Sequence, residues 1–375
     1  MTLTGLYQER AFDVVKQTHR QDGGATLHFP TGDPLDIILR DPQISFAEDW
    51  APYMQVTADA VTPADAETLI RIDPRNVGAG AVLEVKAGYV YDDGTADVQT
   101  IALGHLRSRR ALLPEGTMPV TAASAEQLAQ DTKWLLATTT KVFGGVLEAL
   151  EYLTTYATGT NTAGTFISTI NPVHRPDLVS GVVLEQGEDL WGPISAIALS
   201  AGLRVWADEN GIWNVAPKTT IAGVTSAFLK QGPATTVSKV EDVLSRENWF
   251  NAAALVYTWK DSAGVEQKIV GTWSPDPAPG TEKGAGCKTY TDDRPGPISQ
   301  YQANENARLT VKNLSTRGGS YVVESVAMYW LRPGMTVQID LANGTTVRHI
   351  VRRVVFNIGA GTMTLTTREP SNLGD

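Results

Sequence analysis

From Ile44 onward, the hydrophobic positions fall in short runs of β-prone residues separated by turns, at 43–47, 51–60, 67–73, 80–91 and 96–103. That texture predicts a series of strands forming a small barrel or sandwich. Asp92-Asp93-Gly94 marks a reverse turn between the last two runs, because glycine supplies the positive φ that a tight hairpin demands. The first forty residues show little periodicity and are broken by Gly23, Gly24, Pro30, Gly32 and Pro34, so they are expected to form a peripheral arm or short strands rather than core.

The rhythm changes after residue 118. Residues 122–136 and 143–157 have helical composition, with Val146, Leu150 and Leu153 at helical spacing, and 192–201 opens on Pro193 and closes on Gly202. Residues 203–217 follow, with Asn210-Gly211 between two β-prone runs and Trp206 and Trp213 on either side; this is the strongest hairpin signal in the chain. The Thr-, Gly-, Ala- and Pro-rich stretches 160–190 and 218–238 are expected to be connectors. Beyond them, 252–259 and 265–273 predict a second hairpin, 301–315 a helix, and 320–328, 334–341, 345–355 and 362–368 a closing set of strands. The stretch 274–300, with prolines at 275, 277, 279, 295 and 297, is expected to be a long loop reaching toward a neighbour.

The expected fold class is therefore mainly β with an α+β insertion: two small antiparallel barrels around a mixed helical part. The divisions are 1–118 (arm and first barrel), 119–233 (middle) and 234–375 (second barrel with loop 274–300 and helix 301–315). Charge sharpens the division, since residues 1–233 hold 16 basic and 27 acidic side chains and 234–375 hold 15 and 14. With a net charge of −10 and no large basic concentration beyond Arg107, Arg109 and Arg110, sequence-specific nucleic-acid binding is not expected. Neither a signal-like start nor a run of 18 apolar residues occurs, so no membrane insertion is expected, and the single Cys287 excludes an intrachain disulfide.

Candidate chemistry is sparse. His19, His28, His105, His174 and His349 have no zinc-type spacing with one another or with Cys287, and the phosphate-loop, dinucleotide, nucleophile-elbow and HExxH patterns are absent. Paired carboxylates remain as a route to glycosidic hydrolysis, which needs two groups about 5–9.5 Å apart. Glu185, Glu188 and Asp189 form the best cluster, followed by Glu48-Asp49, Asp92-Asp93, Asp208-Glu209 and Glu241-Asp242. Trp273 and Trp330 are candidates for a sugar-binding platform. No catalytic, cofactor-binding or metal-binding residue is assigned.

Three passages carry a resemblance. Residues 200–217 (SAGLRVWADENGIWNVAP), 245–257 (SRENWFNAAALVY) and 331–370, beginning Leu331-Arg332-Pro333-Gly334, resemble stretches of minor tail proteins of siphophages of actinobacteria, relatives of the tail-tip or baseplate hub. In 245–257 an alanine stands where the family has the first valine of its Asn-x-Val-x-Val pattern. The resemblance implies a non-enzymatic virion protein, a homotrimeric ring of alternating barrels. Its neighbours would be the distal tail or tube protein above, the central tip and fibres below, and tape-measure protein and DNA in the channel. A carbohydrate-binding or wall-degrading tail protein is the alternative.

Overall fold

Alternating inward and outward side chains curl the first strands into a closed barrel. The computed structural model describes residues 7, 10–15, 20–61, 66–75, 80–110, 117–159, 167–168, 181–232, 235–260, 264–275, 287–295 and 298–371. After a short helix α1 (Ala11–Val14) come β1 (Arg20–His28), β2 (Leu35–Ala47), β3 (Met54–Val61), helix α2 (Ala66–Arg71), β4 (Val82–Val90), β5 (Ala96–Arg109) and β6 (Thr117–Ala123). Their order is β1-β4-β5-β6-β3-β2, and β2 pairs back onto β1 at Ala25↔Ile37 through Leu27↔Leu35, so the circle closes, with the end of β5 running on past β4.

Two expectations are corrected here. The first forty residues contribute β1 and the start of β2, with Leu27 and Ile37 in the core. Gly23 serves close strand approach rather than a turn, since a Cβ there would stand 2.4 Å from the Lys86 carbonyl oxygen. The run 67–73 forms helix α2 and its C-terminal turn instead of a strand.

The middle contains α3 (Glu126–Asp131), β7 (Thr139–Lys141), α4 (Val146–Thr158), β8 (Ile167–Ser168), β9 (Val182–Leu184), α5 (Trp191–Ser200), β10 (Leu203–Ala207) and β11 (Trp213–Pro217). Leu150, Leu153, Ile194, Trp134 and Trp213 share a separate core. The predicted helix at 122–136 shrinks to six residues, because β6 claims Ala122 and Ala123 and the backbone is already extended at Thr132. Residues 182–184, expected as connector, pair with β7, whereas 160–166 and 169–180 lie outside the described residues. The Asn210-Gly211 hairpin forms, with Gly211 at φ 74°. Its tryptophans are not cross-strand neighbours: Ala207 faces Trp213 and Trp206 faces Asn214, so the two rings lie on opposite faces.

The rest of the chain forms β12 (Thr225–Lys230), β13 (Val237–Leu244), β14 (Ala252–Lys260), β15 (Glu266–Trp273), β16 (Thr289–Pro295), α6 (Gln300–Leu314), β17 (Gly319–Val326), β18 (Thr336–Asp340), β19 (Thr346–Asn357) and β20 (Thr362–Arg368). Stretch 218–238 thus contains β12 and the start of β13 rather than being a connector. The stretch 274–300 is not a simple loop either, since β16 pairs in parallel with β14 from Thr289 to Pro295; residues 276–286 lie outside the described residues. Helix α6 begins at a capping box, with Ser299 accepting from the Gln302 amide while the Gln302 side chain accepts from the Ser299 amide. It lays Ala303, Ala307 and Val311 on β14 and β15.

Six of these strands run in the order β12-β18-β19-β20-β17-β13. Taken in chain order, they repeat the connectivity of the first barrel strand for strand, with two differences. The first strand is reversed: β12 is parallel to β18 where β1 is antiparallel to β4. The unit β14–α6 is inserted between β13 and β17. The expected second barrel is accordingly not closed by a ladder among the described residues; its outer strands meet only at the isolated bridge Gln231↔Val237. Nor are the two sets independent, since β2 pairs with β19 from Gln43↔Asn357 to Ala47↔Arg353 and makes one twelve-stranded sheet.

Candidate functional site

The junction between the two strand sets concentrates the molecule's buried charge. Just past β2, the Glu48 amide extends the ladder to the Arg352 carbonyl at 3.0 Å. The Glu48 carboxylate accepts two hydrogen bonds of 2.9 Å from Nε and Nη2 of Arg368, and both side chains are buried. Asp49 accepts from Lys218 at 2.7 Å, from Arg317 at 2.9 Å and from Arg352 at 2.9 Å. Those cations come from the segment after β11, the end of α6 and β19, so one carboxylate ties three regions to the end of β2. Burial opposes ionisation of Asp49, but the surrounding cations more than offset it and hold its carboxyl well below the usual carboxylate range. The Glu48-Asp49 pair is thus a structural knot, with no free carboxylate to act on a substrate.

A chain of aromatic rings runs through the same junction. Tyr7, Tyr89, Tyr329, Phe356, Phe46, Tyr53 and Trp206 follow one another at centroid separations of 5.4–6.3 Å. The Tyr89 hydroxyl donates to the Ala327 carbonyl at 2.8 Å and accepts from the Tyr329 amide at 3.0 Å. Burial pushes the Tyr7, Tyr53, Tyr89 and Tyr329 phenols well above their ordinary range. At the hairpin tip, Glu209 reaches Arg332 at 3.3 Å, and that guanidinium lies 4.4 Å from the Phe46 ring centroid. Asp208 accepts from the Asn210 and Ile212 amides and from the Asn214 side chain, which shapes the turn.

The remaining sequence candidates disperse. Glu185, Glu188 and Asp189 build the approach to α5, where Glu188 N–H donates to the Glu185 carbonyl at 3.1 Å and Asp189 caps the Gly192 amide at 2.8 Å. Asp93 accepts from Thr95 and pairs with Arg10, which lowers its pKa to about 2; Glu241 and Asp242 stand exposed on β13. His28 contacts Glu84 at 2.8 Å, His105 lies on β5, and His349 is buried beside Thr367 at 3.0 Å with its pKa lowered to about 4 by that burial. His19 and His174 lie outside the described residues, and Cys287 is half-buried just before β16. Trp330 is no sugar platform: it is buried and its indole donates to the Ser226 carbonyl at 3.0 Å, while Trp273 packs on the α6 core.

Among the described residues no three His, Cys, Asp or Glu side chains converge to hold a metal ion, and no helix is long and apolar enough to cross a membrane. A depression of about 400 Å³ outside the barrel, between Arg40, Asp59, Arg110 and Thr121, opens broadly to solvent. Sequence reading missed the cations of the junction, namely Lys218, Arg317, Arg352 and Arg368, because no local motif announces a partner 149 to 320 residues away.

No protein-family model and no curated protein matches the sequence. Solved structures do match the fold. The tail protein from Neisseria meningitidis aligns over 92% of this chain and 96% of its own, at 13% identity and a TM-score of 0.61. The 43 kDa tail protein of prophage MuSo2 from Shewanella oneidensis aligns over 92% and 98%, at 13% identity and a TM-score of 0.60. The prophage tail protein gp18 from Listeria monocytogenes aligns over 93% and 95%, at 12% identity and a TM-score of 0.51. The chain shares the fold of these tail proteins along nearly its whole length.

Proposed function

We propose that this chain is a structural hub subunit of a phage tail tip, of the siphophage type that its sequence passages resemble. Three copies form a ring in which strand-rich parts 1–118 and 234–375 alternate, with part 119–233 as an accessory unit. The ring joins the distal tail or tube protein to the central tip and fibres and surrounds the passage for DNA and tape-measure protein. The protein is made in the host cytoplasm and resides in the virion.

The observation that carries this reading is the fold likeness to two tail proteins, one of them of a prophage, over 92% of this chain and 96–98% of theirs. The repeated strand order supports an alternating ring, since one chain then supplies two similar units to a neighbour of higher symmetry. A non-enzymatic role is supported by the engagement of Glu48, Asp49, Asp189 and Asp208 in structural hydrogen bonds. A map of the assembled tail tests it: threefold density for this chain on the axis is expected. A monomer attached to the outside of the tail would refute the reading.

A further inference from the structure

The repeated topology allows the two strand sets to be aligned residue by residue. In the first set Leu106 N–H donates to the Ala81 carbonyl at 2.9 Å, and the β5–β6 ladder bulges between Leu106 and Ser108. In the second, Val351 N–H donates to the Met335 carbonyl at 2.8 Å, and the β19–β20 ladder bulges between Val351 and Arg353. These shared irregularities equate Leu106 with Val351, and hence Arg107–Arg110 with Arg352–Val355. Carried across the sheet through Thr121↔Thr57↔Gln43 and Thr366↔Val322↔Glu241, the same alignment equates residues 43–47 with 241–245. Asp49 then corresponds to Glu247.

Within one chain, strand β2 at 43–47 pairs with β19 at 353–357, and Asp49 locks the junction to Arg352. The reciprocal elements are β13 at 241–245 and the end of β5 at 108–110, and among the described residues neither has a strand paired on its second side. Among the described residues no strand flanks β13 opposite β17 beyond Val237, and β4 leaves β5 at His105. Leu244 is 78% exposed, whereas its counterpart Phe46 is fully buried. An open edge ending in an exposed leucine is a template on which another strand can pair. Charge agrees: Asp242 and Glu247 are exposed at one edge and Arg107 and Arg110 at the other, while Glu241 pairs with Lys239 and Arg109 donates to the Leu69 carbonyl.

We propose that β13 of one copy pairs antiparallel with the Arg107–Arg110 end of β5 in the next copy, repeating between chains the β2–β19 junction found within each. The register places Ser245 opposite Ser108, Leu244 opposite Arg109 and Val243 opposite Arg110. Glu247 takes the place of Asp49 and meets Arg107, whose half-exposed contact with Asp131 is given up or shared. This rests on the ring reading above and adds to it which strands touch.

The test uses the full chain with Cys287→Ser and the pair Ser108→Cys and Ser245→Cys. Opposed antiparallel residues lie about 4.5–5.5 Å apart at Cα, within disulfide reach. Mild oxidation is expected to link copies into covalent trimers with the pair present and not with either cysteine alone. Arg107→Glu and Glu247→Arg should each weaken self-association about tenfold, equivalent to about 1.4 kcal/mol, and their combination should restore it. A chain monomeric in solution is oxidised instead within tails assembled from the variant. An axial threefold ring without the 108–245 link overturns the strand pairing and leaves the hub reading standing. Absence of any ring from the tail axis overturns both.

Discussion

The two six-stranded sets share a strand order, yet one closes and the other does not. In the first, β1 runs antiparallel to both neighbours, so hydrogen bonds to β4 and β2 complete the circle. In the second, reversal of β12 leaves one bridge between the outer strands, and β13 continues past it with an open edge. Closure removes edges, whereas incomplete closure supplies one where a neighbour can add. The same strand order therefore yields a closed barrel in one set and an unclosed one, with β13 unpaired on one side among the described residues, in the other.

The knot between the sets should be the most sensitive point. Arg368→Met leaves the buried Glu48 carboxylate without its bidentate partner and should cost about 3–5 kcal/mol in urea unfolding. The double variant with Glu48→Gln should recover most of that loss, and failure to recover would place the damage in packing instead. Next, Gly88→Ala places a Cβ 1.9 Å from the Asp97 carbonyl oxygen inside the closed barrel and should cost about 3 kcal/mol globally. Gly271→Ala, 2.1 Å from the Ala303 carbonyl oxygen, should loosen α6 from β15, so that hydrogen exchange quickens there while the barrel stays protected.

A smaller effect separates the sets by pH. His349 on β19 has a pKa lowered to about 4 by burial, so the unfolded chain binds its proton first. Stability from this residue is intact above the ordinary histidine pKa near 6.5 and falls as pH drops from there to about 4, by at most about 1.4 kcal/mol per pH unit. His349→Gln should flatten that slope in urea midpoints; an unchanged slope would assign it to other groups. Smallest of all, Gly94→Ala and Gly211→Ala, at φ 80° and 74°, should each cost about 1 kcal/mol and leave topology intact.

Sequence pattern revealed what is locally encoded. The Asn210-Gly211 turn, helices α4 and α5 and the four closing strands all emerged because each carries its own turn or cap chemistry. Elements whose signal is tertiary were lost. Gly23 and Gly24 suggested a break, though the first makes room for the Lys86 backbone within β1–β4. Residues 67–73 are rich in β-prone side chains but coil into α2, and β16 hid among prolines because its register comes from β14 alone. The acidic pair Glu48-Asp49 was visible; its role was not, since nothing near it in sequence foretells Arg317, Arg352 or Arg368.

The unit between β13 and β17 leaves the sheet at Leu244 and returns at Gly319, and these two residues face each other across one ladder rung. Closing such an excursion depends only logarithmically on its length, with each doubling costing about 0.6 kcal/mol. The rung is therefore a permissive graft point: β14–β16 and α6, with a hydrophobic core of their own, can be shortened, enlarged or exchanged while the surrounding strands keep their register.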